Sequence, residues 1–117
     1  MRDFRELKVW QKSHHLALQV YQSTRLFPKE EIYGLTSQIR RCSTSIPANI
    51  AEGCGRGSDL DMARFFQVAM GSASELEYHL LLARDLRYIE ESVYGVLHAD
   101  VTEVKRMLTA FIKTLKS

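Results

Sequence analysis

Long apolar runs, strand-like alternation, a strong net charge and clustered metal ligands are all missing from this 117-residue chain, and each absence removes a class of protein. No stretch approaches the roughly 20 consecutive apolar residues that a membrane-crossing helix needs, and the opening MRDFRELK holds no apolar segment of a secretory leader. The expectation is a cytoplasmic protein with no membrane contact. The two cysteines, Cys42 and Cys54, stand twelve positions apart, a spacing that fits neither a CxxC redox pair nor a zinc clip. Both read as small packing residues kept as thiols in a reducing compartment. A net charge of +2 is too weak to name nucleic acid as the partner by itself.

What is present is enough for one globular domain spanning residues 1–117. The chain is 45% hydrophobic and 26% charged, the balance of a folded and not a disordered protein, and its length allows one core but not two. Charge is unevenly placed: residues 1–57 carry nine basic and five acidic side chains, whereas residues 58–117 carry seven and nine. A bundle built this way would have a basic side and an acidic side, and an oligomer would repeat them.

Helical periodicity runs through four segments. Leu7, Trp10, His14, Ala17, Tyr21 and Thr24 form one seam of a first helix expected from Glu6 to Leu26, with Val9, Leu16, Val20 and Phe27 beside it. Pro28 ends that helix, because the residue before a proline is pushed out of the α region. A second helix is expected from Leu35 to Glu52 through Leu35, Ile39, Cys42, Ile46, Ile50 and Gly53, bent at Pro47 but unbroken. Asn49 beside that proline is expected to satisfy a carbonyl that the missing N–H frees. The glycines of Gly53 to Gly57 should supply the positive φ values of a turn. Ser58, followed by Asp59 and Asp61, reads as an N-cap. It opens a third helix to Leu86 with a seam of Ala63, Phe66, Met70, Ala73, Leu76, Leu80 and Ala83. Its small residues Ala69, Gly71, Ser72, Ala73 and Ser74 invite another helix to come close. The fourth helix, Ser92 to Leu115, carries Leu97, Val101, Val104, Leu108, Phe111 and Leu115 as a heptad seam. The fold class is therefore all-α, an antiparallel up-down-up-down four-helix bundle. The surplus apolar stripe on the first helix and the small face on the third point to self-association.

Catalytic chemistry finds little support. GCGRGS resembles a phosphate loop, but no strand leads into it, no GK[ST] follows, and Asp59 and Asp61 stand where the phosphate would sit. A di-iron bundle needs two Glu-x-x-His helices and two further glutamates, whereas Glu75 and His79 are four apart and occur once. No GxSxG is present. Glu30/Glu31 and Glu90/Glu91 fall in expected loops and read as solvated caps, and His14 reads as a hydrogen-bonded core or interface histidine. The expectation is no enzyme, no catalytic residue, no cofactor and no metal.

Arg5, Lys8 and Lys12 follow i, i+3, i+7 and predict one exposed basic line; Arg40, Arg41 and Arg56 surround the central stretch. These six are the candidate nucleic-acid contacts, able to hold phosphates by charge while nearby Tyr and Phe offer stacking. The competing reading pairs them with Glu52 and other carboxylates.

FRELKVWQ at Phe4–Gln11, VY at Val20-Tyr21, FPKEEIYGL at Phe27–Leu35, QIRRCSTSIPANIAEG at Gln38–Gly53, GR at Gly55-Arg56, RFFQVAMGSASELEYHL at Arg64–Leu80 and LRYI at Leu86–Ile89 carry a further signal. In these segments the chain resembles the four-helix-bundle proteins encoded in intervening sequences of bacterial 23S rRNA genes, often labelled S23 ribosomal protein; the last helix matches in pattern only. The resemblance implies a left-handed bundle assembling as a pentameric ring. It also implies kinship with the accessory variability proteins of diversity-generating retroelements, which are similar pentameric barrels that bind nucleic acid and a reverse transcriptase. "Ribosomal" describes gene location, not a place in the ribosome. The function expected is a non-enzymatic homo-pentamer that binds RNA or DNA. The alternative is a scaffold for a protein partner such as a reverse transcriptase, without direct nucleic-acid contact.

Overall fold

A computed structural model describing residues 2–117 has four α-helices: α1 (Lys8–Thr24), α2 (Leu35–Cys54), α3 (Asp59–Asp85) and α4 (Glu91–Lys116). Single 3-10 turns, Phe4–Glu6 and Lys29–Glu31, precede α1 and α2, and no strand occurs among the described residues. The links at 55–58 and 86–90 are too short to cross the bundle, so α2, α3 and α4 run antiparallel to their chain neighbours. Each helix packs on the next, α4 closes against α1, and neither diagonal makes a close backbone approach. The result measures 43 × 23 × 20 Å, its long axis set by the 26 residues of α4 at about 1.5 Å each.

The expected seams of α2, α3 and α4 are buried, with Met70 and Phe111 half-buried at their edges. That of α1 is rotated from expectation. Its buried residues are Val9, Ser13, Leu16, Ala17, Val20 and Thr24, while His14 and Tyr21 lie outside. The physical reason is that Ser13 and Thr24 are small and satisfy their own hydroxyls. Ser13 donates to the Trp10 carbonyl at 3.0 Å and Thr24 to the Val20 carbonyl at 2.8 Å, so both can enter an apolar core at little cost. His14 stacks on Trp10 at the surface, ring centroids 4.9 Å apart.

Two turns also differ. Gly53 belongs to α2, and no glycine in the described chain has a positive φ. Gly53 is needed for proximity instead: a Cβ there would lie 3.1 Å from the Met62 carbonyl and from the Phe66 ring, where α3 crosses α2. The positive φ falls at Arg87, at 64°, just past the end of α3. There the Tyr88 amide reaches the Ala83 carbonyl and the Arg87 amide the Arg84 carbonyl, both at 2.9 Å, which closes the helix as a Schellman turn. Ser58 caps α3 as expected, its Oγ accepting from the Asp61 amide at 3.1 Å.

Of the small residues on α3, Ala69 and Ala73 are buried within the chain and Ser72 rests on α2. Gly71 and Ser74 face outward.

Candidate nucleic-acid interface

The six sequence-selected cations do not form one surface. Arg5 sits on the 3-10 turn before α1, so it does not extend a helical line with Lys8 and Lys12; it pairs with Asp3 at 3.2 Å and lies over Phe4. Lys12 is half-buried and reaches Asp100 of α4 at 3.4 Å. Arg40 is an internal strut: its Nε donates to Thr24 Oγ1 at 2.8 Å and its guanidinium lies 4.7 Å from the Tyr21 ring centre, tying α2 to α1. Arg56 stacks over Phe65 and approaches Glu52 at 3.6 Å, the carboxylate pairing that competed with the binding reading. Like Arg40, Lys8 and Arg41 have no carboxylate partner among the described residues, but unlike it both are exposed. The single polar partner of Arg41 is the Ser37 hydroxyl at 3.2 Å.

The central stretch does turn toward one neighbour. Ser45 of α2 shares a 2.8 Å hydrogen bond with Ser72 of α3, and Asn49 donates to the Ser45 carbonyl at 2.8 Å and its hydroxyl at 3.0 Å. Asn49 is thus structural as expected, but the carbonyl it satisfies is that of Ser45, not the Ser43 carbonyl four residues before Pro47. One turn earlier, Cys42 Sγ lies 3.7 Å from His79 Nδ1. This pair does not make a nucleophile: burial first, then the nearby Glu75 carboxylate, pushes the Cys42 thiol up to about 12, so no useful thiolate exists near neutrality. No group of three metal-ligating side chains assembles among the described residues. Gln38, Arg41, Cys42, Ser45, Ser72 and Glu75 enclose a polar cleft of about 300 Å³ at this seam.

Three tertiary features escaped sequence reasoning. Glu31 bridges the two loops at one end of the bundle, accepting from the Leu35 amide at 3.0 Å and the Tyr88 hydroxyl at 2.8 Å. Those bonds, the amide first, hold its carboxyl below the usual range, and the bond from the Tyr88 hydroxyl raises Tyr88 in turn. Glu77 of α3 accepts from Lys105 of α4 at 2.8 Å, with His98 at 3.5 Å. At the opposite end Arg2, Lys8 and Arg106 gather around Phe111, far apart in sequence and brought together because the amide of Arg2 donates to the Cys54 carbonyl at 3.0 Å. Glu31 followed by the glycine at 34 was a readable capping signal; the Arg2–Lys8–Arg106 cluster had none, since it depends on which helices adjoin.

A family model described as 23S rRNA-intervening sequence protein matches residues 5–110. Among solved structures, the chain is similar to a crystal structure of a protein with unknown function from the S23 ribosomal protein family of Bacteroides thetaiotaomicron VPI-5482. The two share 31% sequence identity and superpose with a TM-score of 0.83, covering 90% of this chain and 98% of that one. No curated protein matches the chain at significance.

Proposed function

The chain belongs to the 23S rRNA-intervening sequence protein family, and from that premise we propose that it is a non-enzymatic, homo-oligomeric module that binds nucleic acid through a basic side. The observation that carries this reading is the segregation of charge. Residues 1–57, with nine basic and five acidic side chains, build the adjacent helices α1 and α2; residues 58–117, with seven and nine, build α3 and α4. A ring of copies, of the pentameric kind expected, would repeat that basic side once per subunit. The exposed apolar side chains Leu60, Val68 and Tyr78 on α3 support assembly, since they offer apolar surface to a second copy.

A second reading, a scaffold for a protein partner such as a polymerase, is favoured by the loop end. Leu26 and Tyr33 are 88% and 95% exposed there, with Ile32 and Leu86 close to half exposed. Size-exclusion chromatography with light scattering, with and without total cellular RNA at low and moderate salt, separates the readings. An oligomer that gains RNA at low salt and sheds it at moderate salt is expected, since phosphate contacts weaken steeply with ionic strength. An oligomer that ignores RNA would transfer the reading to the scaffold, and a monomer would remove the assembly.

A further inference from the structure

We infer that the groove between the start of α1 and the end of α4 seats one nucleotide of a single-stranded nucleic acid, its phosphate on Arg2, Lys8 and Arg106 and its base against Phe111 and Met107. This rests on the nucleic-acid reading above and gives it a location.

The groove encloses about 500 Å³, inside the ~300–1,000 Å³ range of small-ligand sites. Its chemistry separates it from the other concavities. Those at the loop end and the α2–α3 seam mix cations with carboxylates, Arg84 and Arg87 with Glu90 and Glu91 in one, Arg41 with Glu75 in the other. A third, between the last turns of α1 and the first turns of α4, has no charged lining residue. Here every charged lining residue is a cation. Arg2 and Lys8 have no carboxylate partner among the described residues; Arg106 is held by Glu103 on its own helix, which raises the guanidinium's pKa and keeps it positioned. The end of α1 adds to the field. Its N-cap, Leu7, offers no side-chain hydrogen bond, and no acidic residue lies in its first turn. By contrast α2 is capped by Glu31, and α3 and α4 begin with acidic residues. The positive helix end beside Lys8 thus has no side-chain cap of its own, the nearest carboxylate in sequence being Glu6 just before the N-cap.

The floor decides what kind of anion fits. Val9, Met107 and Phe111 are apolar, and the Arg2 guanidinium lies 5.3 Å from the Phe111 ring centre, a planar cation on an aromatic face. Two guanidiniums match the forked geometry of a phosphate better than that of a lone ion, and a flat base can lie on the arginine plane, the ring and the thioether. A duplex keeps its bases stacked inside, so the strand must be single.

The test is fluorescence anisotropy with a short unstructured fluorescein-labelled RNA, the same strand bearing abasic sites, and a fluorescent fatty-acid anion. The proteins are wild type, Lys8→Glu, Phe111→Leu, and Lys29→Glu at the far end as a charge-matched control. Circular dichroism checks each fold. Lys8→Glu should weaken RNA binding about tenfold or more beyond Lys29→Glu. Wild type should prefer the intact strand over the abasic one by about fivefold or more, a preference lost in Phe111→Leu. Equal losses in Lys8→Glu and Lys29→Glu, with wild type still binding, would remove the groove while leaving the nucleic-acid reading intact. Equal affinity for abasic and intact strands would overturn the base seat. Capture of the fatty-acid anion with RNA ignored would give the groove to an anionic amphiphile, and RNA ignored everywhere would sink the functional reading itself.

Discussion

The α2–α3 seam and the α1–α4 seam are both built from amphipathic helices, yet the first leaves one polar cleft of about 300 Å³ and the second leaves grooves of about 500 and 370 Å³ along it. The difference lies in what stands between the backbones. α2 and α3 meet through Gly53, Ala69 and Ala73, with the Ser45–Ser72 hydrogen bond crossing between them, so the helices come close. At the α1–α4 seam stand Lys12, whose amine reaches Asp100, and Gln19, whose Oε1 is buried without a hydrogen-bond partner. Long polar side chains hold helices apart and leave room between them. The tight seam supplies stability, and the loose one supplies concave surface at which a ligand can be met.

Breaking the core common to both seams should have the largest effect. Leu108 is fully buried, and Leu108→Ala should cost about 2–5 kcal/mol by the usual cavity penalty, measured by urea denaturation. A silent substitution would mean that the α4 seam does not face the core. Gly53→Ala tests the tight seam directly. Its new Cβ meets the Met62 backbone and the core ring of Phe66, neither free to move, and should cost about 1–3 kcal/mol. Gly71→Ala, on the same pair of helices but facing open space, should instead gain about 0.5–1 kcal/mol from helix propensity. If both glycines behaved alike, close approach would not be what sets α2 against α3. Asp100→Asn, which removes the ion pair across the loose seam, should cost less than about 1 kcal/mol because both groups are partly solvated. A larger loss would show that the α1–α4 seam depends on that pair.

Much of the architecture was legible because it depends on local rules. The stripes of α2, α3 and α4, the Ser58 cap and the stop before Pro28 follow from 3.6-residue periodicity and from which residues leave backbone groups satisfied. The α1 register was misread where a polar residue enters the core: Ser13 looks like surface in sequence, and its hydrogen bond to the Trp10 carbonyl becomes relevant only once a neighbour covers it. The Gly53 turn was misread because a glycine signals conformational freedom and close approach alike, and only the position of Phe66 tells them apart. The site fared worse. Arg40 and Lys12 look like any exposed cation in sequence, yet Thr24 and Asp100 turn them into struts between helices.

From the sequence alone came the all-helical class, the helix count, the family resemblance and the charge asymmetry between the two halves, since periodicity, composition and motif are properties of residues in order. Only the tertiary structure decided which cations are spent on internal pairs and which stay free, and that Arg2, Lys8 and Arg106 share a groove with Phe111. The reason is geometric: ion pairing and pocket formation depend on distances of a few ångströms between segments that can lie more than a hundred residues apart, and those distances are set by how closely the seams allow the helices to approach.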